Sequence, residues 1–244
     1  MNPFTRLTKL SAALLALLVF TPILFAADPI GSSTGTNAPA RIRVACVGDS
    51  ITCGVGVDNP ALNSYPAQLN RMLGDKWEVG NFGVSGRTLL NQGDFPYQKE
   101  PALQGALAFH PNVVVILLGA NDSKPQNWRF KDSFVSDYRE LIGKFKALPE
   151  RPKIFVCRPT PAPGIGNFGI NEPVILEEIK LIDGIAKTEK AKVIDLHQAL
   201  AGKDELIPDR VHPNAAGAAL MAKTVYKALT GKLFVEKSVP DAAK

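Results

Sequence analysis

Val44-Ala45-Cys46-Val47-Gly48-Asp49-Ser50-Ile51-Thr52 is the stretch on which the reading of the fold turns. A short apolar run stops abruptly at Gly-Asp-Ser, which puts a hydroxyl nucleophile candidate at the end of a strand. Later apolar runs stop in the same manner, at Gly83, at Gly119 followed by Asn121, and ahead of Asp209 and His212. In an open parallel α/β sheet, the residues beyond the carboxyl ends of the strands face the ligand crevice. Four polar constellations in that kind of position are stronger together than any one of them.

Working outward, residues 41–48 read as a buried strand and Thr52 to Asn63 as a Gly/Pro/Asn-rich loop. Tyr65, Leu69, Met72 and Leu73 then recur at helical spacing, with Pro66 tolerated in the first turn. Trp77 to Phe82 reads as a second strand, Gly83 to Thr88 as a compact loop and residues 101–109 as a helix. Val113 to Leu118 is an unbroken apolar run ended by Gly119, the signature of a central parallel strand. Phe134, Tyr138, Leu141, Ile142 and Phe145 mark an amphipathic helix that ends before Pro149. A strand over Lys153 to Cys157, a long loop from Arg158 to Asn171, a helix from Val174 to Thr188 and a strand from Ala191 to Leu196 follow. A last helix begins near Asn214. Five strand-like runs alternating with helices predict an α/β fold, a mostly parallel sheet sandwiched between helix layers.

The chain has 244 residues, 45% hydrophobic and 21% charged, enough for one substantial core. Arg6 and Lys9, an apolar stretch from Leu10 to Phe20 and a small-residue exit at Ala26-Ala27 read as a secretory signal peptide over residues 1–27. Secretion to the periplasm or the medium is the expectation that follows. Residues 28–40 read as a flexible tether, 41–231 as the domain and 232–244 as a tail. Without Arg6 and Lys9 the chain carries 26 basic against 23 acidic side chains, too small an excess to indicate nucleic acid. No stable membrane partner is expected, and the sequence leaves the oligomeric state open. Three cysteines are too few for a disulfide scaffold. Cys46 and Cys157 read as small buried apolar residues, and a Cys46–Cys53 bridge stays open.

Ser50 needs a base, and the chain has three histidines. His110 falls on the side of the sheet away from the crevice. His197 follows the last strand and stays a weaker candidate, with no acid conveniently beside it. His212 lies in Asp209-Arg210-Val211-His212-Pro213-Asn214, where a carboxylate three residues ahead can hold one imidazole nitrogen while the other faces Ser50. Asn214 is placed to cap the next helix. Taken alone, Asp209 and His212 are equally well read as ordinary loop polars. Attack on an ester would create an oxyanion needing donors already in place. The Ser50 amide, the Gly83 amide and the Asn121 side chain are the candidates.

Together these blocks resemble the SGNH hydrolase family, the GDSL-type esterases and lipases. The matching residues are Gly48-Asp49-Ser50-Ile51-Thr52, Asn81-Phe82-Gly83-Val84-Ser85-Gly86, Gly119-Ala120-Asn121-Asp122 and Asp209 through His212. Ile51 replaces the leucine of the family's name. The resemblance covers residues 43–229 and implies a flavodoxin-like five-stranded sheet. It implies Ser50 as nucleophile, His212 as base and Asp209 as its orienter. It also implies an oxyanion hole built from the Ser50 and Gly83 amides and the Asn121 amide group. The Gly-x-Ser-x-Gly elbow of α/β-hydrolases is absent, as this family implies. The blocks are most similar to secreted bacterial sialate O-acetylesterase-like and acetylxylan-esterase-like members.

The expected chemistry is hydrolysis of short O-acyl esters, acetyl above all, on an acetylated saccharide or other small ester, without cofactor or metal. A lysophospholipase or thioesterase with the same triad is the alternative, and a non-catalytic carbohydrate-binding scaffold a more distant one. Arg87, Asn91, Trp128 and the 164–168 loop follow elements on the catalytic side and are the candidates for substrate contact. Asp122 is read as a brace for its loop.

Overall fold

In the computed structural model, which describes residues 40–164 and 166–236, the opening apolar run becomes strand β1 (Ile42–Gly48). Helices α1 (Ser50–Cys53), α2 (Pro60–Asn63) and α3 (Tyr65–Leu73) lead to strand β2 (Trp77–Gly83). Helix α4 (Pro101–Ala108) precedes β3 (Val113–Leu117), and α5 (Pro125–Trp128) and α6 (Phe134–Lys146) precede β4 (Lys153–Arg158). Helix α7 (Glu172–Glu189), strand β5 (Lys192–Asp195), α8 (Leu196–Leu200) and α9 (Ala215–Thr230) follow. The signal peptide, nearly all of the tether and the end of the tail fall outside the described residues.

Every ladder is parallel, and the strands lie in the order β2-β1-β3-β4-β5. This is the flavodoxin-like α/β sheet. From β1 the chain first adds β2 on one side and then crosses to add β3 on the other. Gly48 sits in register with Gly83 and with Leu117, so the three strands end level. A crevice forms at that reversal, beyond the strand ends.

The β3 sequence explains its central place, since all five residues are buried. A side chain alternates faces along a strand. Val113, Val115 and Leu117 therefore enter a core with Tyr65 and Leu69 of α3 and Met221, Ala222 and Val225 of α9. Val114 and Ile116 enter a second core with Leu103 of α4 and Phe134, Tyr138, Leu141 and Phe145 of α6. Each such fully buried side chain contributes about 1.5–3 kcal/mol relative to exposure. Two cores back to back leave the strand ends as the place where polar groups can gather.

Two expectations are revised. The run from Thr52 to Asn63 is partly helical, because the Asp49 side chain accepts the Ile51 amide at 3.0 Å and caps α1 directly after β1. Pro60 opens α2 at a position that needs no N–H donor. The last strand stops at Asp195, whose side chain accepts the Gln198 amide at 2.8 Å and starts α8. The three cysteines are free, with Cys46 and Cys157 buried and no Cys46–Cys53 bridge. Burial pushes the Cys46 thiol up to about 12, which keeps it protonated and unreactive. No helix among the described residues is long and apolar enough to cross a membrane.

Candidate active site

Because Asp49 serves as the N-cap, Ser50 becomes the first residue of α1, 6% exposed at the end of β1. Its Oγ lies 2.9 Å from Nε2 of His212, a residue 162 positions further along the chain. The imidazole is set by a tight turn in which Arg210 adopts a left-handed backbone, φ 67°. Oδ1 of Asp209 accepts the amides of Val211 at 3.0 Å and His212 at 2.6 Å, while Oδ2 lies 2.6 Å from His212 Nδ1. Partial burial opposes ionisation of Asp209. The hydrogen bonds from the His212 amide, the His212 ring and the Val211 amide outweigh it and hold the carboxyl below its ordinary range. A carboxylate accepts and does not donate, so the Nδ1 hydrogen points at Asp209 and the Nε2 lone pair points at the Ser50 hydroxyl. Asn214 fixes the end of the turn by accepting the Gly217 amide at 3.0 Å as the cap of α9.

Two loops complete the crevice, one after β2 and one after β3. Asp122, fully buried, accepts the Leu89 amide at 2.9 Å and the Leu90 amide at 2.7 Å, and so ties the two loops together. It braces its loop as expected. Asn121, 4% exposed, donates from Nδ2 to the Arg87 carbonyl at 3.1 Å and to Asp49 Oδ2 at a long 3.4 Å. The contact to Asp49 is the weaker of the two, near the outer limit of hydrogen-bond length.

Gly83 is placed differently from the expectation. Its N–H donates to Asn81 Oδ1 at 3.0 Å and is therefore already committed. The glycine is needed for close approach instead, since a Cβ there would sit 2.3 Å from the Cys53 nitrogen on α1. Sequence reading overlooked Gly86, three residues on. It takes a left-handed backbone, φ 81°, in the turn that carries the Arg87 carbonyl, and a Cβ there would meet only open space. Among the described residues its N–H has no hydrogen-bond acceptor. Gly83 stands at the strand end, whereas Gly86 is signalled only as the second glycine of Gly-Val-Ser-Gly.

The other candidates are held by the scaffold. Arg87 pairs with Glu100 at 2.9 Å and lies over the Phe95 ring, 5.5 Å from its centroid. The Asn91 side chain donates to Glu140 on α6 at 3.0 Å and its amide to Asp137 at 2.8 Å. Trp128 packs edge-on against Phe134 and donates its indole N–H to Glu177 at 3.2 Å, so it covers the second core. The side-chain partners of Asn91 and Trp128 are thus residues of α6 and α7 and not of the Ser50–His212–Asp209 set. His110 is 57% exposed beside Glu150, 2.9 Å away. His197 does have an acid, contrary to expectation. Glu172 at the start of α7 lies 2.7 Å from its Nε2, and the pair fastens α8 to α7.

Among the described residues, no three His, Cys, Asp or Glu side chains are grouped closely enough to hold a metal ion. A nucleophile, a base, an orienting acid and amide donors around a crevice can carry out acyl transfer without one.

Comparison with known proteins gives the family. The family model described as GDSL-like Lipase/Acylhydrolase matches residues 46–220, which contain all the strands after the first few residues of β1 and every residue of the relay. The chain belongs to that family. Its GDSL block is the Gly48-Asp49-Ser50-Ile51 turn. An acetylxylan esterase of Xylanibacter ruminicola is 46% identical over 207 residues, covering 77% of this chain. This chain spans 43% of the length of that relative. Among solved structures, a carbohydrate acetylesterase from Sinorhizobium meliloti superposes with a TM-score of 0.65 at 22% identity, over 78% of this chain and 99% of that one. The native aryl esterase of M. smegmatis gives 0.63 at 20% identity, over 79% of this chain and 100% of that one. At such identities the two structures share the GDSL fold with this chain.

Proposed function

We propose that this GDSL-family chain is a serine esterase that removes short O-acyl groups, acetyl above all, from carbohydrate esters. The observation that carries the reading is the relay Ser50–His212–Asp209, with contacts of 2.9 and 2.6 Å, set beside Asn121 in the crevice at the sheet's reversal. The likeness to an acetylxylan esterase supports acetyl as the acyl group and a saccharide as the alcohol.

In this reading the Ser50 hydroxyl attacks the ester carbonyl carbon while His212 Nε2 takes its proton. The tetrahedral oxyanion is met by the Ser50 amide, the Asn121 side chain and the Gly86 amide, with Gly86 taking the part that Gly83 cannot. Such donors are effective because they are oriented before charge develops, and removing one costs about 10²–10³ in kcat in other serine hydrolases. His212 then protonates the departing sugar oxygen, the carbon–oxygen bond to the alcohol breaks, and an acetyl-Ser50 ester remains. Water gives a proton to the same imidazole and attacks the acyl carbon, the bond to Ser50 Oγ breaks as His212 returns that proton to the oxygen, and acetate leaves.

The test is acetate release from acetylated xylan, acetylated pectin, O-acetyl sialic acid and simple glucose acetates, with Ser50→Ala as the control. Acetate release by the wild type and its loss in Ser50→Ala is the expected result. A fluorophosphonate is expected to label the wild type and not the variant. Unchanged turnover in Ser50→Ala would end the assignment. Preference for acyl chains of eight carbons or more in a p-nitrophenyl ester series would replace it with a lysophospholipase or thioesterase.

A further inference from the structure

The geometry points to Phe168 as a specificity-determining residue that receives the alcohol half of the ester, the part released, and not the acyl half. This inference rests on the esterase reading of the Ser50 site.

Phe168 is 58% exposed, yet its ring centroid lies 5.8 Å from that of His212, with the planes inclined at 51°. A single exposed apolar side chain is ordinary on a protein surface, and what distinguishes this one is that it stands against the buried imidazole. Its backbone is left-handed, φ 53°, a conformation that bulky residues seldom adopt and that persists only where surrounding contacts impose it. Those contacts run directly to the proposed chemistry. Asn167 Oδ1 accepts the Phe168 amide at 2.8 Å, and Asn167 Nδ2 donates to the backbone carbonyl of Asp209 at 3.1 Å. The Ile170 amide donates to the Asn167 carbonyl at 2.9 Å, and the Asn171 amide to Ser123 Oγ, two residues after Asn121, at 2.9 Å. The loop is thus tied at one end to the acid and at the other to the Asn121 turn, and it presents the phenyl ring between them.

The side of the substrate that meets this ring follows from the proton's route. His212 Nε2 must deliver its proton to the leaving oxygen, so that oxygen lies against the imidazole when the tetrahedral intermediate breaks down. The carbonyl oxygen points the other way, toward Ser50 N, Asn121 and Gly86. Whatever is bonded to the leaving oxygen therefore passes over the His212 edge and meets Phe168. An aromatic face suits the C–H face of a pyranose or another ring. It gives little to a methyl or ethyl alcohol.

The experiment compares wild type, Phe168→Ala and Phe168→Trp on esters varied at one end at a time. Ethyl acetate, phenyl acetate and acetylated xylo-oligosaccharide vary the alcohol, whereas ethyl acetate, propionate and butyrate vary the acyl group. For Phe168→Ala, kcat/KM on the oligosaccharide and on phenyl acetate is expected to fall on the order of tenfold relative to ethyl acetate, mainly through KM. The acyl-length ratios and the pH profile of kcat/KM on ethyl acetate are expected to stay as in wild type, and Phe168→Trp to retain the ring-alcohol preference. An equal loss on every ester, or no loss on any, would overturn the inference, and so would a change confined to acyl length. Failure of the wild type to hydrolyse any of these esters, or full activity in Ser50→Ala, would instead remove the esterase reading itself.

Discussion

Asp209→Asn separates the two jobs that one carboxylate does in the turn. Oδ1 accepts two backbone amides, from Val211 at 3.0 Å and His212 at 2.6 Å, while Oδ2 faces the imidazole Nδ1 at 2.6 Å. Asparagine keeps the shape, but one of its two terminal groups donates. An NH₂ in the Oδ1 position would confront two N–H donors at once and leave both without an acceptor. The carbonyl oxygen therefore takes that place, and the NH₂ turns toward Nδ1. Nδ1 then has to accept, the ring hydrogen moves to Nε2, and an N–H faces the Ser50 hydroxyl where a lone pair is needed. The turn stays intact and the base is lost. In serine hydrolases this tautomer exchange costs about 10⁴ in kcat, equivalent to about 5 kcal/mol of barrier. Steady-state hydrolysis of p-nitrophenyl acetate measures the loss, thermal melting checks the fold, and ¹⁵N NMR of the imidazole reads the tautomer. Some activity above that of Ser50→Ala is expected to remain. A variant that keeps its melting temperature and a kcat within about tenfold of wild type, when a fall of about 10⁴ is expected, would refute the reasoning. So would a large rate loss with the hydrogen still on Nδ1.

Asp122→Asn is expected to leave either the Leu89 or the Leu90 amide facing a donor in a fully buried place. The cost is about 1–3 kcal/mol, a fall in melting temperature of roughly 2–12 °C, and kcat should drop with it because Asn121 is the next residue. An unchanged melt would show that the brace is dispensable. His197→Gln keeps a donor for Glu172 and is expected to leave kcat within about threefold of wild type, whereas a collapse of activity on a normal melt would bring His197 back as a base. Stability itself is expected to fall above pH 5. Burial pushes Asp49 up to about 6 and Asp122 up to about 7, from an ordinary 3.8, and raises Glu178 well above 4.5. The folded chain keeps protons that the unfolded chain has already lost, so this contribution is full below 3.8 and disappears as pH rises through 6 and 7. Asp209 and Glu172 are lowered and act oppositely, their contribution present at pH 5 and lost toward strong acid. Melting temperature should therefore peak at about pH 5 and decline toward pH 8, and a steady rise over that interval would contradict the signs.

The fold was legible because burial on both faces leaves a continuous apolar run, as in Val113–Leu117, and burial on one face leaves a helical stripe, as in Phe134–Phe145. The relay residues were legible because their spacing is local, with Asp209 and His212 in one turn and Gly48-Asp49-Ser50 in another. What stayed hidden depends on partners distant in the chain or on competition nearby. Glu172 reaches His197 across 25 residues. The Gly83 amide is taken by the side chain of Asn81, two residues before it, a local bond that can substitute for a ladder partner. Trp128 follows a catalytic-side strand in sequence, yet the short helix α5 turns its ring onto Phe134.

Glu178 shows how far the support of the crevice extends beyond those blocks. It lies on α7 in the same stripe as Ile175, Ile182 and Ile185, all buried, so its spacing already marks an acid aimed at the core. Neither of its oxygens has a hydrogen-bond partner among the described residues, and the Tyr138 hydroxyl is in the same condition. A buried carboxylate without partners is far costlier than a neutral acid, and the nearby charges of Asp122 and Asp49 add to the burial that raises its pKa. Glu178 therefore keeps its proton. The neutral acid packs against the turn that carries Asn121. A Cβ on Gly119 would sit 2.6 Å from Glu178 Oε2, and the glycine takes φ 130° there. The Asn121 loop is consequently clamped from two directions, by Asp122 reaching across to the Leu89 and Leu90 amides and by Glu178 beneath Gly119. The two contacts differ in kind. Asp122 is held through oriented hydrogen bonds that an amide cannot reproduce, whereas Glu178 acts by shape and neutrality, both of which glutamine would preserve.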